Sequence, residues 1–287
     1  MSTQERIMDW YRANSRDLPW RTSEVTAWQI LVSEIMLQQT PAARVAPAWL
    51  EWIARWPDAQ SLAQASPADV LRQWNRLGYP NRALRLHATA QEVVNRFSGQ
   101  LPQDFDELRS LPGIGEYTAA AIMSFAFNKR AVVLDTNVRR VIARVWHGNE
   151  RTPSHLTTKE RQEADGLVPT DDASAALWSI AVMEFGAVVC TSRTPQCHSC
   201  IISSQCTWHL QGHPAFEGVK RTQKFTGTDR QVRGKIMAAL RESTSGVTRD
   251  TLTSLWPHAT QRSRALSSLI EDGLVEQNDD GTFQLPN

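Results

Sequence analysis

The sequence predicts a mainly α-helical protein that ends in a small separate module. Three observations carry this. Helical patterns of apolar residues follow one another from residue 4 to residue 189 with short breaks. Two closely spaced glycines interrupt them in Leu111-Pro112-Gly113-Ile114-Gly115. The last stretch, 229–287, holds three more helical patterns and then a hairpin signature. At 287 residues the chain has room for two domains and a small third. A hydrophobic fraction of 41% suffices for a core, and apolar stretches such as 173–189 are broken by polar residues, which suits buried helices rather than membrane spans. The formal net charge of +1 gives no argument for nucleic acid. Its distribution is more suggestive, because Arg139, Arg140 and Arg144 gather after Asp135, although arginines also decorate ordinary helix surfaces.

Residues 4–13 form the first helix, with Ile7, Trp10 and Tyr11 on one face. This stretch has no signal-peptide core, which sets a cytosolic location as the expectation. Arg16-Asp17-Leu18-Pro19-Trp20-Arg21 is a proline-stiffened loop. The second helix, Trp28 to Gln39, carries Trp28, Leu31, Val32, Ile35 and Met36 on one stripe. Glu34 lies within it, one turn after Ile30 and Leu31 and one turn before Leu37. A carboxylate among apolar neighbours is desolvated, so its pKa rises and it becomes a candidate proton donor. The plainer alternative is a glutamate that reaches solvent or pairs with an arginine.

Helical patterns follow at 41–55, 59–64, 67–76 and 81–97. Between the last two, Leu77-Gly78-Tyr79-Pro80-Asn81 presents an aromatic on a turn, either to wedge into a base stack or to pack on its own turn. Helices at 104–111 and 116–127 flank the Gly113–Gly115 turn. Backbone amides at such a helix start suit a phosphate, although a simple helix–helix turn would need the same glycines. Asp135 precedes Val138, Val141, Ile142 and Val145, and its simplest task is to cap that helix. Residues 158–163 and 173–189 are helical.

The four cysteines of the chain all fall in one short run, Cys190-x6-Cys197-x2-Cys200-x5-Cys206. A cytosolic protein rarely keeps disulfides, so the run reads as a metal site. Four thiolates there can hold zinc or a [4Fe–4S] cluster, and spacing alone does not choose. Residues 211–228 read as a linker. The module at 229–287 has helical patterns at 229–243, 248–256 and 260–273, then a hairpin from 274–277 and 282–285 closed by Asn278-Asp279-Asp280-Gly281. Three helices and a hairpin suggest a winged-helix-like module, a fold that binds DNA or docks partners.

The Gly113-x-Gly115 hairpin, Asp135 about one helix later and the four-cysteine loop together resemble the helix–hairpin–helix DNA glycosylases of the endonuclease III superfamily. Within it, Val32-Ser33-Glu34-Ile35-Met36-Leu37-Gln38-Gln39-Thr40 resembles the MutY-type adenine DNA glycosylases, and the short chain with its winged tail is similar to the actinobacterial members. The resemblance covers about residues 1–210. It implies two helical subdomains with a cleft: 1–22 with 130–210, which includes the cysteine loop 190–206, and a six-helix subdomain 23–129 with the hairpin at 104–127. It also implies removal of adenine mispaired with 8-oxoguanine or guanine from double-stranded DNA, by a nucleoid-associated monomer that binds no membrane. Glu34 is then the acid that protonates N7 of adenine, and Asp135, ionised, stabilises the oxocarbenium ion. Asn137 orients Asp135 or the water, and Tyr117 hydrogen-bonds the catalytic carboxylates. Trp20, Arg21 and Glu184 line the adenine pocket. Tyr79 and Gln39 fill the stack, while Gln39, Thr40 and Leu77 lie against the base left behind. The amides from Leu111 to Gly115, with Gly113 and Gly115 at the turn, hold a phosphate through a bound alkali cation. Cys190, Cys197, Cys200 and Cys206 ligate a [4Fe–4S] cluster, and Arg193 in that loop faces phosphate.

Two positions separate the branches. The lyase branch carries a lysine nucleophile where this chain has Tyr117, and a tyrosine forms no Schiff base, so a monofunctional enzyme is expected. The adenine branch often has lysine at the position of Arg139, counted with the DNA contacts, and arginine there further suppresses trapping. Longer members carry a C-terminal domain that reads 8-oxoguanine; 229–287 does not resemble it, which leaves the reading to 222–228 with the wing or makes discrimination weaker. Two other functions compete: a thymine–guanine mismatch glycosylase of the same superfamily, and a non-catalytic winged-helix DNA-binding regulator. Glu34 with Gln38-Gln39-Thr40 favours adenine over thymine, because a purine leaving group gains from N7 protonation. The presence of both Glu34 and Asp135 argues against the regulator.

Overall fold

The computed structural model describes residues 1–216 and 225–287; residues 217–224, part of the expected linker and of the 222–228 stretch, lie outside the described residues. The described chain is mainly helical: α1 (Thr3–Asn14), α2 (Ala27–Leu37), α3 (Ala42–Arg55), α4 (Ala59–Ala63), α5 (Pro67–Trp74), α6 (Asn81–Phe97), α7 (Phe105–Ser110), α8 (Glu116–Phe125), α9 (Thr136–His147), α10 (Thr158–Leu167), α11 (Asp172–Val188), α12 (Thr207–Leu210), α13 (Asp229–Glu242), α14 (Arg249–Leu255) and α15 (Ala259–Glu271). One short hairpin follows, β1 (Glu276–Gln277) antiparallel to β2 (Phe283–Gln284), with Glu276 opposite Gln284. Among the described residues no helix is long and apolar enough to cross a membrane.

Local signals account for many of the helix starts. Ser2 with Glu5, and Thr157 with Glu160, close capping boxes that satisfy the first amides of α1 and α10. Asp171 caps α11 and Asp135 caps α9 through side-chain oxygens. The ends of α2 and α5 fall short of the sequence expectation for a local reason. Gln39 and Asn75 adopt left-handed backbone, φ 56° and 46°, and break the helical run.

The chain clusters into two compact units. One comprises the described residues of Met1–Leu31, Pro102–Ser110 and Ile114–Val219; the other comprises those of Val32–Leu101, Leu111–Gly113 and Lys220–Asn287. This grouping differs from the sequence reading: residues 23–31 fall in the first unit. Helices α7 and α8 group with α1 and the cysteine loop, and the C-terminal module groups with α3 to α6.

In the first unit α1, α9 and α11 pack around Ile7, Val138, Val141, Trp178, Val182 and Phe185, all nearly free of solvent. Trp10 meets Phe185 edge-on at 5.2 Å. Gly186 lets α11 close on α9, because a Cβ there would stand 2.9 Å from the carbonyl oxygen of Asn137. In the second unit α4 and α5 pack on α6, and Trp52 sits between Trp56 and Trp74 at 4.8 and 5.6 Å. The C-terminal module folds as α13, α14 and α15 with the hairpin, and Val247 bridges to Phe283 alongside β2. Its apolar residues Val232, Ile236, Leu240, Leu269 and Phe283 are buried, and α13 also packs on α5.

Candidate active site

Asp135 does two things at the start of α9. Its Oδ1 accepts from the amide of Val138 at 2.6 Å, which caps the helix, and its Oδ2 accepts from Nδ2 of Asn137 at 2.6 Å. Desolvation raises the Asp135 pKa above the ordinary carboxylate value, against the pull of those donors and of Arg140. Arg140 fixes the rest of the site: it donates to Oδ1 of Asn137 at 2.7 Å, to the carbonyl of Gly186 at 2.6 Å and to that of Cys190 at 2.8 Å. Tyr117, on α8, packs against the small cluster of Ala120, Ala121 and Val133, and Val133 lies two residues before Asp135.

Glu184, on α11, is nearly sealed, with 1% of its side chain exposed. Its Oε1 accepts from Nε of Arg16 at 2.6 Å, and its Oε2 accepts from Nη2 of Arg16 at 2.7 Å and from Nη2 of Arg21 at 2.9 Å. Burial alone would lift this carboxyl, but the two guanidiniums outweigh it and hold the pKa at about 2. Trp20 is buried on the short turn that places Arg21. The fold thus joins Glu184 to Arg21 and adds Arg16, which the sequence reading missed. The only sequence signal for it was its place in the proline-stiffened loop.

In the other unit Glu34 is buried on α2, beside Val32, Ser33, Ile35 and Met36 in the same state. The next turns hold Gln39 and Tyr79, both in left-handed backbone at φ 56° and 49°, an arrangement that persists only where the surroundings enforce it. Arg82 enforces it. Its Nη1 donates to the carbonyls of Ile35 (2.8 Å), Met36 (3.2 Å) and Gln38 (2.6 Å). Its Nη2 donates to Oγ1 of Thr40 (3.3 Å) and to the carbonyls of Leu77 (3.2 Å) and Gly78 (3.0 Å). Desolvation pulls the guanidinium down to a pKa of about 10. Tyr79 is 41% exposed, whereas Thr40 and Leu77, expected against the base, are buried and tie the two turns together through Thr40 Oγ1 and the Leu77 carbonyl at 3.3 Å. No pattern in the sequence distinguished Arg82 from its neighbours.

Of the two hairpin glycines only Gly113 uses left-handed backbone, φ 76°, and a Cβ there would crowd Cβ of Arg85 at 2.9 Å. Gly115 is extended and stands as the N-cap of α8 with no side-chain cap. Arg139 is a bracket in this chain: it grips Glu160 with N···O distances from 2.8 to 3.1 Å and also donates to the carbonyls of Pro153 and His155. Arg193 is exposed.

The four cysteines line one small cavity with Val145, Phe185, Val189, Ile202 and Trp208. Burial, then the neighbouring cysteines, pushes the Cys200 thiol up to about 11, and Cys197 and Cys206 are raised as well. Crowded thiols in an apolar pocket resist ionisation until a cation joins them, so the donor set fits a metal or metal–sulfur group. Buried Arg144 lies at one side, donating to Sγ of Cys190 at 3.5 Å and to the Thr191 carbonyl at 2.8 Å. The side chains of His209 and His213 also reach Cys197, an imidazole pair that the sequence reading overlooked.

Residues 32–164 match the family model of the HhH-GPD superfamily base excision DNA repair proteins. An adenine DNA glycosylase of Mycolicibacterium smegmatis is 50% identical over 280 residues, which covers 97% of this chain and 94% of its own. The adenine DNA glycosylase of Homo sapiens is 39% identical over 210 residues, 70% of this chain and 38% of its own. A solved thermostable thymine-DNA glycosylase superposes with a TM-score of 0.66 at 27% identity, over 72% of this chain and 95% of that one. Endonuclease III from a trapped covalent complex with DNA gives 0.61 at 21% identity, over 75% of this chain and all of that one, a likeness of fold.

Proposed function

This chain belongs to the HhH-GPD superfamily of base excision DNA repair proteins, in its adenine DNA glycosylase branch, and from that premise we propose that it excises adenine mispaired with 8-oxoguanine or guanine in double-stranded DNA. The reaction breaks the bond from N9 of adenine to C1′ of the deoxyribose, which lies inside the duplex, so the nucleotide must first leave the stack. Gln39 and Tyr79 would fill the space, supported by the rigid pair of turns around Arg82. Glu34, buried on α2, donates a proton to N7. The bond electrons then move into the protonated ring, which leaves as neutral adenine, and the sugar becomes an oxocarbenium ion.

Asp135 faces that cation in this reading, with Asn137 and Tyr117 as its neighbours. The observation that carries the assignment is the Asp135 carboxyl, desolvated and yet oriented through both oxygens. An anion in such a place gains more from an adjacent positive charge than a solvated one does. Water adds to C1′, loses its proton to Asp135, and leaves an abasic site. Trp20, Arg21 and Glu184 frame the adenine, together with Arg16, and the amides at the uncapped start of α8 hold a phosphate. The four cysteines would hold a [4Fe–4S] cluster, which when bound cross-links the loop from 190 to 206 and keeps exposed Arg193 at the DNA.

Base release from duplexes that carry A:8-oxoguanine, A:G, T:G and A:T tests this. Adenine should be released from the first two duplexes only. Release of thymine from T:G with adenine untouched would move the chain to the thymine-specific reading, which the thymine-DNA glycosylase likeness makes the natural second choice.

A further inference from the structure

The C-terminal module reaches the turn that carries Tyr79. The guanidinium of Arg230, in the first turn of α13, lies over the Tyr79 ring at 4.5 Å, and Arg82 approaches the same ring at 5.5 Å. The same guanidinium lies 5.9 Å from the ring of Phe225, which is 54% exposed. Arg230 is itself exposed, and among the described residues no ion pair engages it. The far end of α13 repeats the theme. It packs on α5, which runs into the Tyr79 turn, and Arg241 there is depressed by burial and by the like charge of exposed Arg76, three residues before Tyr79.

The module's own core does not require these cations. Val232, Ile236, Met237 and Leu240 already bury the apolar face of α13. An exposed cation over an aromatic ring adds little to stability, and two arginines set side by side subtract from it. Both features make sense if a polyanion completes the surface. A guanidinium that stacks by its flat face keeps its N–H edge for a phosphate oxygen.

We propose that Arg230 is a positioning residue for Tyr79, and that α13 thereby makes the C-terminal module part of the surface that grips distorted duplex DNA, with Arg76 and Arg241 on the phosphodiester backbone. This rests on the reading of Tyr79 as the stack-filling side chain. Arg230 restricts the ring to the pose that a left-handed turn alone leaves loose, and its charge draws the strand onto the ring.

The test is a double-substitution cycle in the full chain. Arg230→Ala, Arg230→Lys, Tyr79→Ala and the Arg230→Ala/Tyr79→Ala double variant are compared with the parent. Three quantities are read: single-turnover adenine release from A:8-oxoguanine duplex, affinity for duplex bearing an abasic site opposite 8-oxoguanine, and thermal melting. Arg230→Ala should lower both rate and affinity by about two- to tenfold, the range of a cation–π contact with a phosphate partner, while melting stays unchanged. Arg230→Lys should recover part of the loss. In the Tyr79→Ala background the further effect of Arg230→Ala should shrink toward the loss of charge alone, which raised salt abolishes. Equal losses in both backgrounds at high salt, or losses that track melting, would overturn the proposal. A parent that releases no adenine would sink the proposed function, whereas the abasic-site affinities would still decide the role of Arg230.

Discussion

Arg82 is the residue on which the left-handed turns at Gln39 and Tyr79 should depend most, and Arg82→Met isolates its guanidinium while keeping a chain of similar length. The side chain is 9% exposed and holds six oxygens, three of them at 3.0 Å or less: the carbonyls of Ile35, Gln38 and Gly78. Hydrogen bonds from a charged donor are worth about 2 kcal/mol each, so these three contribute about 6 kcal/mol. Against this stands the cost of desolvating the cation. The fall of its pKa from 12.5 to about 10 corresponds to about 3 kcal/mol. The net loss on substitution is then about 3 kcal/mol, or a drop in melting temperature of about 6 to 12 °C for a chain of this size. Differential scanning calorimetry reads the stability, and adenine release reads the effect on the turns, which should exceed tenfold because Gln39 and Tyr79 both lose their backbone support. Arg82→Lys should be intermediate, since one ammonium cannot span both turns. A shift under about 2 °C with full activity would refute the argument that this guanidinium enforces the two left-handed turns.

The remaining expectations concern charge and metal. Glu184 has a folded-state pKa near 2 against an ordinary 4.5, so it adds stability that is complete above the ordinary value and is lost as pH falls from there toward 2. Melting followed from pH 6 to pH 2 should therefore drop steeply across that window, by about 3 kcal/mol from this group, and Glu184→Gln should start lower and fall less. The purified protein should be brown, with visible absorbance that fades on reduction or chelation, and Cys200→Ser should lose the colour. A colourless protein with stoichiometric zinc would assign the site to the other metal, and His209 and His213 beside Cys197 would be its additional donors. Borohydride should trap little protein on mismatched DNA, because Tyr117 offers no amine; efficient trapping with strand cleavage by the pure protein would contradict a monofunctional enzyme.

The helices were legible because their apolar residues recur at helical spacing and several starts carry capping side chains, as at Ser2, Asp135 and Asp171. The cysteine loop was legible because four rare residues fall together. What stayed hidden shares one property: it depends on a side chain that serves distant backbone. Arg82 reaches from α6 to the end of α2, and Arg16 reaches from a loop to Glu184 across 168 positions of the chain. Nothing in local spacing marks such an arginine off from one on a helix surface. Arg139 shows the converse. The family resemblance counted it with the DNA contacts, and nothing in local spacing announced the ion pair that its guanidinium makes with Glu160. The grouping of the C-terminal module with α3 to α6 was hidden too, since the face of α13 that meets α5 cannot be told by pattern from the face that meets α15.

The decisive measurement is adenine release under single-turnover conditions by the parent, Glu34→Gln and Asp135→Asn, each with its affinity for the same A:8-oxoguanine duplex determined in parallel. Two carboxyl roles in one bond cleavage require that either substitution lower the rate by at least about a hundredfold while the duplex remains bound. Asp135→Asn should keep the cap of α9, so its loss cannot be ascribed to unfolding. If either variant excises adenine at the parental rate, the two-carboxyl account is wrong.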